Sequence, residues 1–167
     1  DRFQAEGLKI FCPTKAAAQL EGSKIFAKET MSKAGVPTAE FKVFDNAGAA
    51  KHHVIESDPP FVIKADGLAA GKGVVVAETC EDAVQAVTKF MEEKSLGEAG
   101  SRVIIEEKLE GEELSVLVLT DGENLIPLAS AQDHKRLLDM DRGPNTGGMG
   151  AYSPCPFLPE QNFHKAL

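Results

Sequence analysis

A glycine-rich loop at residues 66–73 has a composition suited to binding a polyphosphate. Gly67, Gly71 and Gly73 let the backbone turn tightly and present N–H groups to an anion, and Lys72 adds a point charge. The spacing excludes a Walker A loop, because Gly67 and Gly71 enclose only three residues and Gly73 stands where a Ser or Thr is required. The same loop is also typical of an ordinary connector between two strands, and that alternative stays open.

A lysine inside the apolar run at 61–65 strengthens the anion hypothesis. Lys64 would carry a costly charge into a cleft or core unless an anion met it there. The alternative is a lysine on an edge strand that faces water.

An acidic run follows the apolar residues 103–105. Glu106 and Glu107 precede Lys108 and Leu109, and Glu112 and Glu113 stand beyond Gly111. Carboxylates at the end of a buried strand can accept hydrogen bonds from ribose hydroxyls or an adenine amine, while an exposed backbone edge reads the adenine ring. A solvated turn is the alternative for such a charge run.

A third candidate combines Asp133 and Arg136 with the segment 143–150. Arg136 can bind a phosphate or carboxylate through two N–H groups, and Gly147 and Gly148 allow a close approach of the backbone to a substrate. The varied polar residues favour function over a flexible connector. His134 has no Cys or further His at ligand spacing, so a structural role is favoured over zinc binding.

The elements that must position these residues follow from local patterns. Ser23 is placed to cap a helix that Gly35 ends, and the apolar stripe from Ala83 to Met91 predicts a helix at 81–94. Strands are predicted at 41–44, 61–65, 74–77, 103–109, 114–119 and 125–129, and weaker helices from residue 13 and near 46–56. Regular patterning is absent from 132–159, which predicts a long functional loop.

Composition excludes several classes of protein. The chain has 167 residues, with 18 Lys and Arg against 26 Asp and Glu, a formal charge of −8, which argues against a general nucleic-acid binder. Its longest apolar runs have the length of strands and cannot span a membrane. Three scattered cysteines indicate a reduced, cytoplasmic protein. The chain begins at Asp1 rather than Met, so we expect it to be part of a longer polypeptide.

Together these segments resemble the glycinamide ribonucleotide synthetase family, the phosphoribosylamine–glycine ligases of the ATP-grasp superfamily. The resemblance covers essentially the whole chain and rests on strings at 20–24, 34–38, 62–73, 106–113, 131–136 and 143–154. It implies an α+β ATP-grasp fold in which ATP lies between two antiparallel sheets. Residues 1–36 would lead into this region, 37–105 would form the small lobe with a glycine-rich lid, and 106–167 would begin the larger lobe.

The resemblance also implies a role for each candidate residue. ATP would be bound by Lys28, Lys64, the lid residues Gly71, Lys72 and Gly73, the adenine hinge Glu106, Glu107, Lys108 and Leu109, and the ribose ligand Glu113. The substrates glycine and 5-phosphoribosylamine would meet Asp133, Arg136, Gly147 and Gly148, with Lys64 and Arg136 as catalytic residues. The family makes glycinamide ribonucleotide, ADP and phosphate through a glycyl phosphate intermediate, in cytoplasmic purine biosynthesis.

The family's ligands for Mg²⁺ or Mn²⁺ are expected downstream of this chain, and a further domain is expected before it. The chain alone is therefore expected to bind nucleotide weakly and to be inactive. Two alternatives stay open: another ATP-grasp carboxylate–amine ligase, and a nucleotide-binding module without catalytic activity.

Overall fold

The computed structural model describes residues 1–69, 71–157 and 160–167. The predicted lid at 66–73 includes Ala70, and the predicted loop at 132–159 includes Leu158 and Pro159; these residues lie outside the described ones. The α-helices are α1 (Arg2–Ala5), α2 (Gln19–Gly22), α3 (Lys24–Ala34), α4 (Ala47–Ile55), α5 (Cys80–Val87) and α6 (Glu160–Ala166). The strands are β1 (Phe41–Phe44), β2 (Phe61–Ala65), β3 (Val74–Ala77), β4 (Val103–Glu107), β5 (Val118–Thr120), β6 (Leu125–Pro127), β7 (Gln132–Asp133), β8 (Arg136–Leu138), β9 (Arg142–Asn145) and β10 (Ala151–Tyr152).

The chain divides into two compact units, Asp1–Leu109 and Glu110–Leu167. The first unit contains α1–α5 and β1–β4, and the second contains β5–β10 and α6. The lobe boundary predicted between residues 105 and 106 stays a prediction.

The first unit is built on a four-stranded antiparallel sheet with the order β1-β4-β2-β3. Alternation along β2 decides which residues face the core: Phe61, Ile63 and Ala65 are buried, while Val62 and Lys64 are less so. In the register of β2 with β4, Val62 lies opposite Glu106 and Lys64 lies opposite Ile104. Since directly opposed residues share a face of the sheet, Lys64 and Glu106 lie on the face away from the core.

Helices α4 and α5 cover the core face of this sheet. The buried residues of this core include Ala50, Val54, Ile63, Ala83, Val87, Phe90, Val103 and Ile105. Each fully buried side chain of the size of Ile63 or Phe90 contributes roughly 1.5–3 kcal/mol. This core makes β2 and β4 a rigid support for the side chains on the opposite face.

The predicted helix boundaries depend on caps, and the structure confirms the principal ones. The Ser23 hydroxyl accepts a hydrogen bond from the Phe26 N–H, and Gly35 ends α3 with a φ of 70°. The Thr79 hydroxyl caps α5 in the same way. The helix predicted at 81–94 is present as α5 followed by a π-helical turn at Thr88–Glu92.

The second unit differs from the sequence prediction in two respects. The strand predicted at 114–119 is shorter and shifted, since only Val118–Thr120 forms a strand, joined to Leu125–Pro127. The segment 132–159, predicted to be a long functional loop without regular elements, contains four short strands, and its functional role stays a prediction. In this segment β7 pairs with β10 and β8 pairs with β9, both antiparallel. Strands of two to four residues are too short to show an alternating pattern in the sequence, so they were not predicted.

The N-terminal prediction was also inaccurate. Residues 15–18 form turns and the helix α2 spans Gln19–Gly22, so the helix predicted from residue 13 is later and shorter. Helix α1 was not predicted. Across the described ranges, every helix is too short or too polar to pass through a bilayer.

Candidate functional site

Two lysines converge on one carboxylate in the first unit. Lys64 on β2 donates a hydrogen bond of 2.8 Å from Nζ to Glu106 Oε2, and the Nζ of Lys28 on α3 lies 3.3 Å from the same oxygen. Lys28 also donates to Thr38 Oγ1 at 2.7 Å and to the Ala39 carbonyl at 3.1 Å. The three charges sum to +1, so this cluster favours a further anion.

This geometry decides between the alternatives for Lys64. Strand β2 lies between β4 and β3, which excludes a lysine on an edge strand. The Lys64 side chain is 29% exposed and is paired with Glu106, so it is neither isolated in the core nor fully solvated. Its ammonium stands at an accessible face where an incoming anion can reach it.

Glu106 differs in burial from the other glutamates of the acidic run. It is only 4% exposed, whereas Glu107, Glu112 and Glu113 are exposed, so the solvated-turn alternative fails for Glu106. Among the residues that the structure describes, its Oε1 is buried without a hydrogen-bond partner. An unpaired buried carboxylate oxygen costs free energy, which favours a ligand that donates a hydrogen bond to it.

The glycine-rich loop joins β2 to β3, as the sequence predicts. At its base the Ala65 N–H donates to the Gly73 carbonyl at 2.8 Å, and the Lys72 N–H donates to the Ala69 carbonyl at 2.9 Å. Gly71 has a φ of 77°, which favours glycine, and the Lys72 side chain is exposed. The Lys72 side chain on this loop is therefore accessible to solvent.

Two of the predicted hinge residues, Glu107 and Lys108, have side chains that are bonded within the first unit. Glu107 Oε1 accepts a hydrogen bond of 2.9 Å from the Glu40 N–H, and Lys108 Nζ lies 2.6 Å from Glu78 Oε1. Leu109, which follows the end of β4, is exposed. The side chains of Glu107 and Lys108 are thus engaged within the unit.

In the second unit, the predicted residues Glu113 and Asp133 meet at the ammonium of Lys135, a residue that sequence reasoning missed. Lys135 Nζ lies 2.6 Å from Glu113 Oε1 and 3.5 Å from Asp133 Oδ2. The hydrogen bond from Lys135 to Glu113 raises the pKa of the Lys135 ammonium. Its presence between Asp133 and Arg136 was the available signal.

The glycine segment lies beside this cluster. The Thr146 N–H donates to the Lys135 carbonyl at 2.6 Å, and the Met149 N–H donates to the His134 carbonyl at 2.7 Å. A Cβ at Gly147 or Gly148 would meet no atom within 4 Å, so both glycines border open space. Arg136 Nη1 donates to the Gly143 carbonyl at 3.2 Å, and in the described part of this unit its guanidinium pairs with no carboxylate.

The predicted residues thus form two sets. Lys28, Lys64, the loop glycines with Lys72, and residues 106–109 belong to the first unit, while Glu113, Asp133, Arg136, Gly147 and Gly148 belong to the second. Within the described ranges, no group of three or more His, Cys, Asp or Glu side chains is placed to hold a metal ion.

A family model matches most of the chain. The family model described as phosphoribosylglycinamide synthetase, ATP-grasp (A) domain, matches residues 22–167. The chain is therefore an ATP-grasp protein, and the α+β fold class predicted from the sequence is confirmed. Within that superfamily the chain belongs to the phosphoribosylglycinamide synthetase family.

Individual relatives agree with this assignment. The chain is 54% identical over 167 residues to the phosphoribosylamine–glycine ligase of Neisseria meningitidis, covering all of this chain and 40% of that protein. It is 58% identical over 158 residues to the ligase of Ralstonia nicotianae, covering 95% of this chain and 37% of that one. The crystal structure of the Thermotoga maritima phosphoribosylamine–glycine ligase has a TM-score of 0.83 at 39% identity, covering 98% of this chain and 43% of that chain. The chain therefore spans about two fifths of the length of these curated relatives.

Proposed function

We propose that the protein containing this chain is an ATP-dependent ligase that joins glycine to 5-phosphoribosylamine in purine biosynthesis. The observation that carries this proposal is the convergence of Lys28 and Lys64 on Glu106, beside a glycine-rich loop, in a member of this family. The names of the relatives support the choice of substrates.

The proposed reaction has two steps. A carboxylate oxygen of glycine attacks the γ-phosphorus of ATP, the bond to the bridging oxygen breaks, and ADP leaves. The amine nitrogen of 5-phosphoribosylamine then attacks the carbonyl carbon of glycyl phosphate, phosphate leaves, and the amine proton passes to solvent. Positioning and neutralisation of charge supply most of the catalysis in such transfers.

In this proposal the first unit holds ATP. Lys28 and Lys64 bind phosphate oxygens, and the backbone N–H groups of Gly71 and Gly73 close over them with the side chain of Lys72. The unpartnered Oε1 of Glu106 accepts a hydrogen bond from the amine of adenine, which would remove the cost of its isolation. Glu107, Lys108 and Leu109 present backbone groups to the adenine ring.

The second unit takes the ribose and the other two substrates in this proposal. Glu113 accepts hydrogen bonds from ribose hydroxyls through lone pairs that its ion pair with Lys135 leaves available. Arg136 binds an anionic group of a substrate, because its guanidinium is not already neutralised by a carboxylate in the described residues. Asp133 orients an amine, and Gly147 and Gly148 allow the substrate to approach.

Magnesium or manganese is part of the proposal, but the described residues do not fit a metal site of their own. We therefore assign its ligands to no residue of this chain. The proposed protein acts in the cytoplasm on small molecules, and nothing in its charge favours binding to nucleic acid.

The test is an ADP-release assay on the full-length gene product with glycine and 5-phosphoribosylamine added singly and together. We expect ADP release that requires both substrates and falls at least about 100-fold in kcat/KM in Lys64→Ala or Arg136→Ala. Lys51→Ala is the matched control, since Lys51 forms a surface ion pair with Glu92, and it should leave the rate unchanged.

Other outcomes would identify the alternatives. ADP release that needs a different carboxylate or amine would indicate another ATP-grasp ligase. Nucleotide binding without turnover, and indifferent to Arg136→Ala, would indicate a binding module. The 167-residue chain alone should show no ligase turnover, and measurable turnover would contradict that part of the proposal.

A further inference from the structure

The base of the glycine-rich loop is tied to the first turn of α3. Asp66 Oδ1 accepts hydrogen bonds from the Ser23 hydroxyl at 2.8 Å and from the Ile25 N–H at 2.9 Å. The Lys24 N–H donates to the Asp66 carbonyl at 3.2 Å. The cap residue Ser23 and the first two residues of α3 therefore all bond to Asp66.

The side chain of Lys24 strengthens this junction. Its ammonium donates to the Ala65 carbonyl at 2.9 Å and to the Gly67 carbonyl at 3.0 Å, on either side of Asp66. Burial lowers the pKa of the Lys24 ammonium, and the charge of Asp66 opposes that shift. The backbone on both sides of Asp66 is thus fixed to α3.

Asp66 also reaches the start of β4. Its Oδ2 accepts a hydrogen bond of 2.6 Å from Arg102 Nη2, and its N–H donates to the Arg102 carbonyl at 3.1 Å. The carboxylate is buried, so its three charged or polar partners replace water. One side chain therefore connects α3, the end of β2 and the segment that enters β4.

These three elements carry the groups of the candidate site. Lys28 lies one helical turn beyond Lys24 on α3, Lys64 lies two residues before Asp66 on β2, and Glu106 lies on β4. A helix that slid by one residue would move Lys28 away from Glu106, since the rise per residue is about 1.5 Å. The separation of the two lysines consequently depends on the junction at Asp66.

We infer that Asp66 is a positioning residue, which holds Lys28 in register with Lys64 so that both ammonium groups meet the same phosphate chain. This inference rests on the proposed function, because it assigns the two lysines to ATP. It assigns no contact with substrate to Asp66 itself. Its effect on nucleotide binding is exerted through Lys28.

The test is a double-mutant cycle on ATP binding in the full-length gene product, measured by calorimetry with MgCl₂ present. Asp66→Ala should weaken ATP binding by about tenfold when Lys28 is intact, and by less than about twofold in a Lys28→Ala background. An equal loss in both backgrounds, or no loss in the first, would overturn the inference. Glu92→Gln is the control, because it removes a surface ion pair of the same unit and should change neither value.

Milder variants keep the test informative if Asp66→Ala fails to fold. Asp66→Asn retains an acceptor for Ser23 and Ile25 but loses the ion pair with Arg102, so a smaller loss of about threefold is expected. Ser23→Thr keeps the hydroxyl and should bind ATP as the parent protein does, whereas Ser23→Ala should bind more weakly. Equal affinities in these two variants would overturn the role of the junction.

Amide hydrogen exchange separates this inference from the proposed function. Without nucleotide, Asp66→Ala should speed exchange in the first turn of α3 relative to Glu92→Gln, whether or not the protein binds ATP. A parent protein that binds no ATP would refute the proposed function and, with it, the assignment of Lys28 to phosphate. Unchanged exchange in α3 would overturn the positioning role even where ATP binds.

Discussion

Replacing Glu106 with glutamine removes the negative charge that Lys28 and Lys64 share while keeping the volume of the side chain. Breaking a buried ion pair from one side typically costs about 3–5 kcal/mol, since the remaining charge is left uncompensated. The Lys28 side chain is 8% exposed and would bear most of that cost, whereas that of Lys64 is 29% exposed and can reach water. Lys28 keeps its bonds to Thr38 and Ala39, so we expect a loss near the lower limit, about 3 kcal/mol.

The assay is amide hydrogen exchange of β2 and β4 in the full-length gene product, because it reports the free energy of opening of the first unit alone. Glu92→Gln serves as the control and should cost less than about 0.5 kcal/mol, since the Glu92 side chain is 48% exposed. The double variant Glu106→Gln with Lys28→Met should lose less stability than the sum of the losses in the two single variants. A loss for Glu106→Gln no larger than that for Glu92→Gln would refute the reasoning, because it would mean that the lysines need no counter-charge.

Three further predictions concern stability and titration. Gly67→Ala should lower stability by about 1–3 kcal/mol in thermal unfolding, because its Cβ would lie 2.7 Å from the Ala99 Cβ and 2.9 Å from the Ala99 Cα; an unchanged midpoint would contradict this close approach. In Gly35→Ala the new Cβ would meet no atom within 4 Å, but the residue has a φ of 70°. We therefore expect the backbone conformation alone to lower stability by about 1–2 kcal/mol in the same measurement, and a stabilised variant would contradict this. The hydrogen bond from the Asn124 side chain, with two backbone N–H groups, lowers the pKa of Asp121 to about 2. Because that pKa lies below the unfolded value of about 3.9, the turn between β5 and β6 is stabilised above about pH 4 and loses this contribution as the pH falls through 2. An NMR titration that placed the pKa of Asp121 near 4 would contradict this prediction.

The parts of the fold that local signals determine could be predicted from the sequence. The cap at Ser23, the glycine that ends α3, and the β-branched runs at 61–65 and 74–77 each act within a few residues, and the structure has them at those positions. The glycine-rich connection between the two strands followed from the same runs.

What depends on distant partners could not be predicted. Lys64 and Glu106 were each singled out by type and position, but their ion pair joins residues 42 positions apart. Asp66 received no role, because its function depends on Ser23, 43 residues earlier, and on Arg102. The pairs β7 with β10 and β8 with β9 were missed because strands of two to four residues carry little periodic signal.

The position of β4 in the sheet has a consequence for synthesis on the ribosome. Strand β4 is the last of the four strands in chain order, yet it lies between β1 and β2, so these two strands have no neighbour on that side until residues 103–107 emerge. The nascent chain is made at about 5–20 residues per second, and during that interval β1 and β2 lack the strand that joins them, although α4 and α5 have already emerged. Lys28 and Lys64 are also synthesised before Glu106, the carboxylate with which they pair. The four-stranded sheet of the first unit can therefore form only after residues 103–107 have been synthesised, and a chain that ends before residue 103 lacks both an inner strand of the sheet and Glu106.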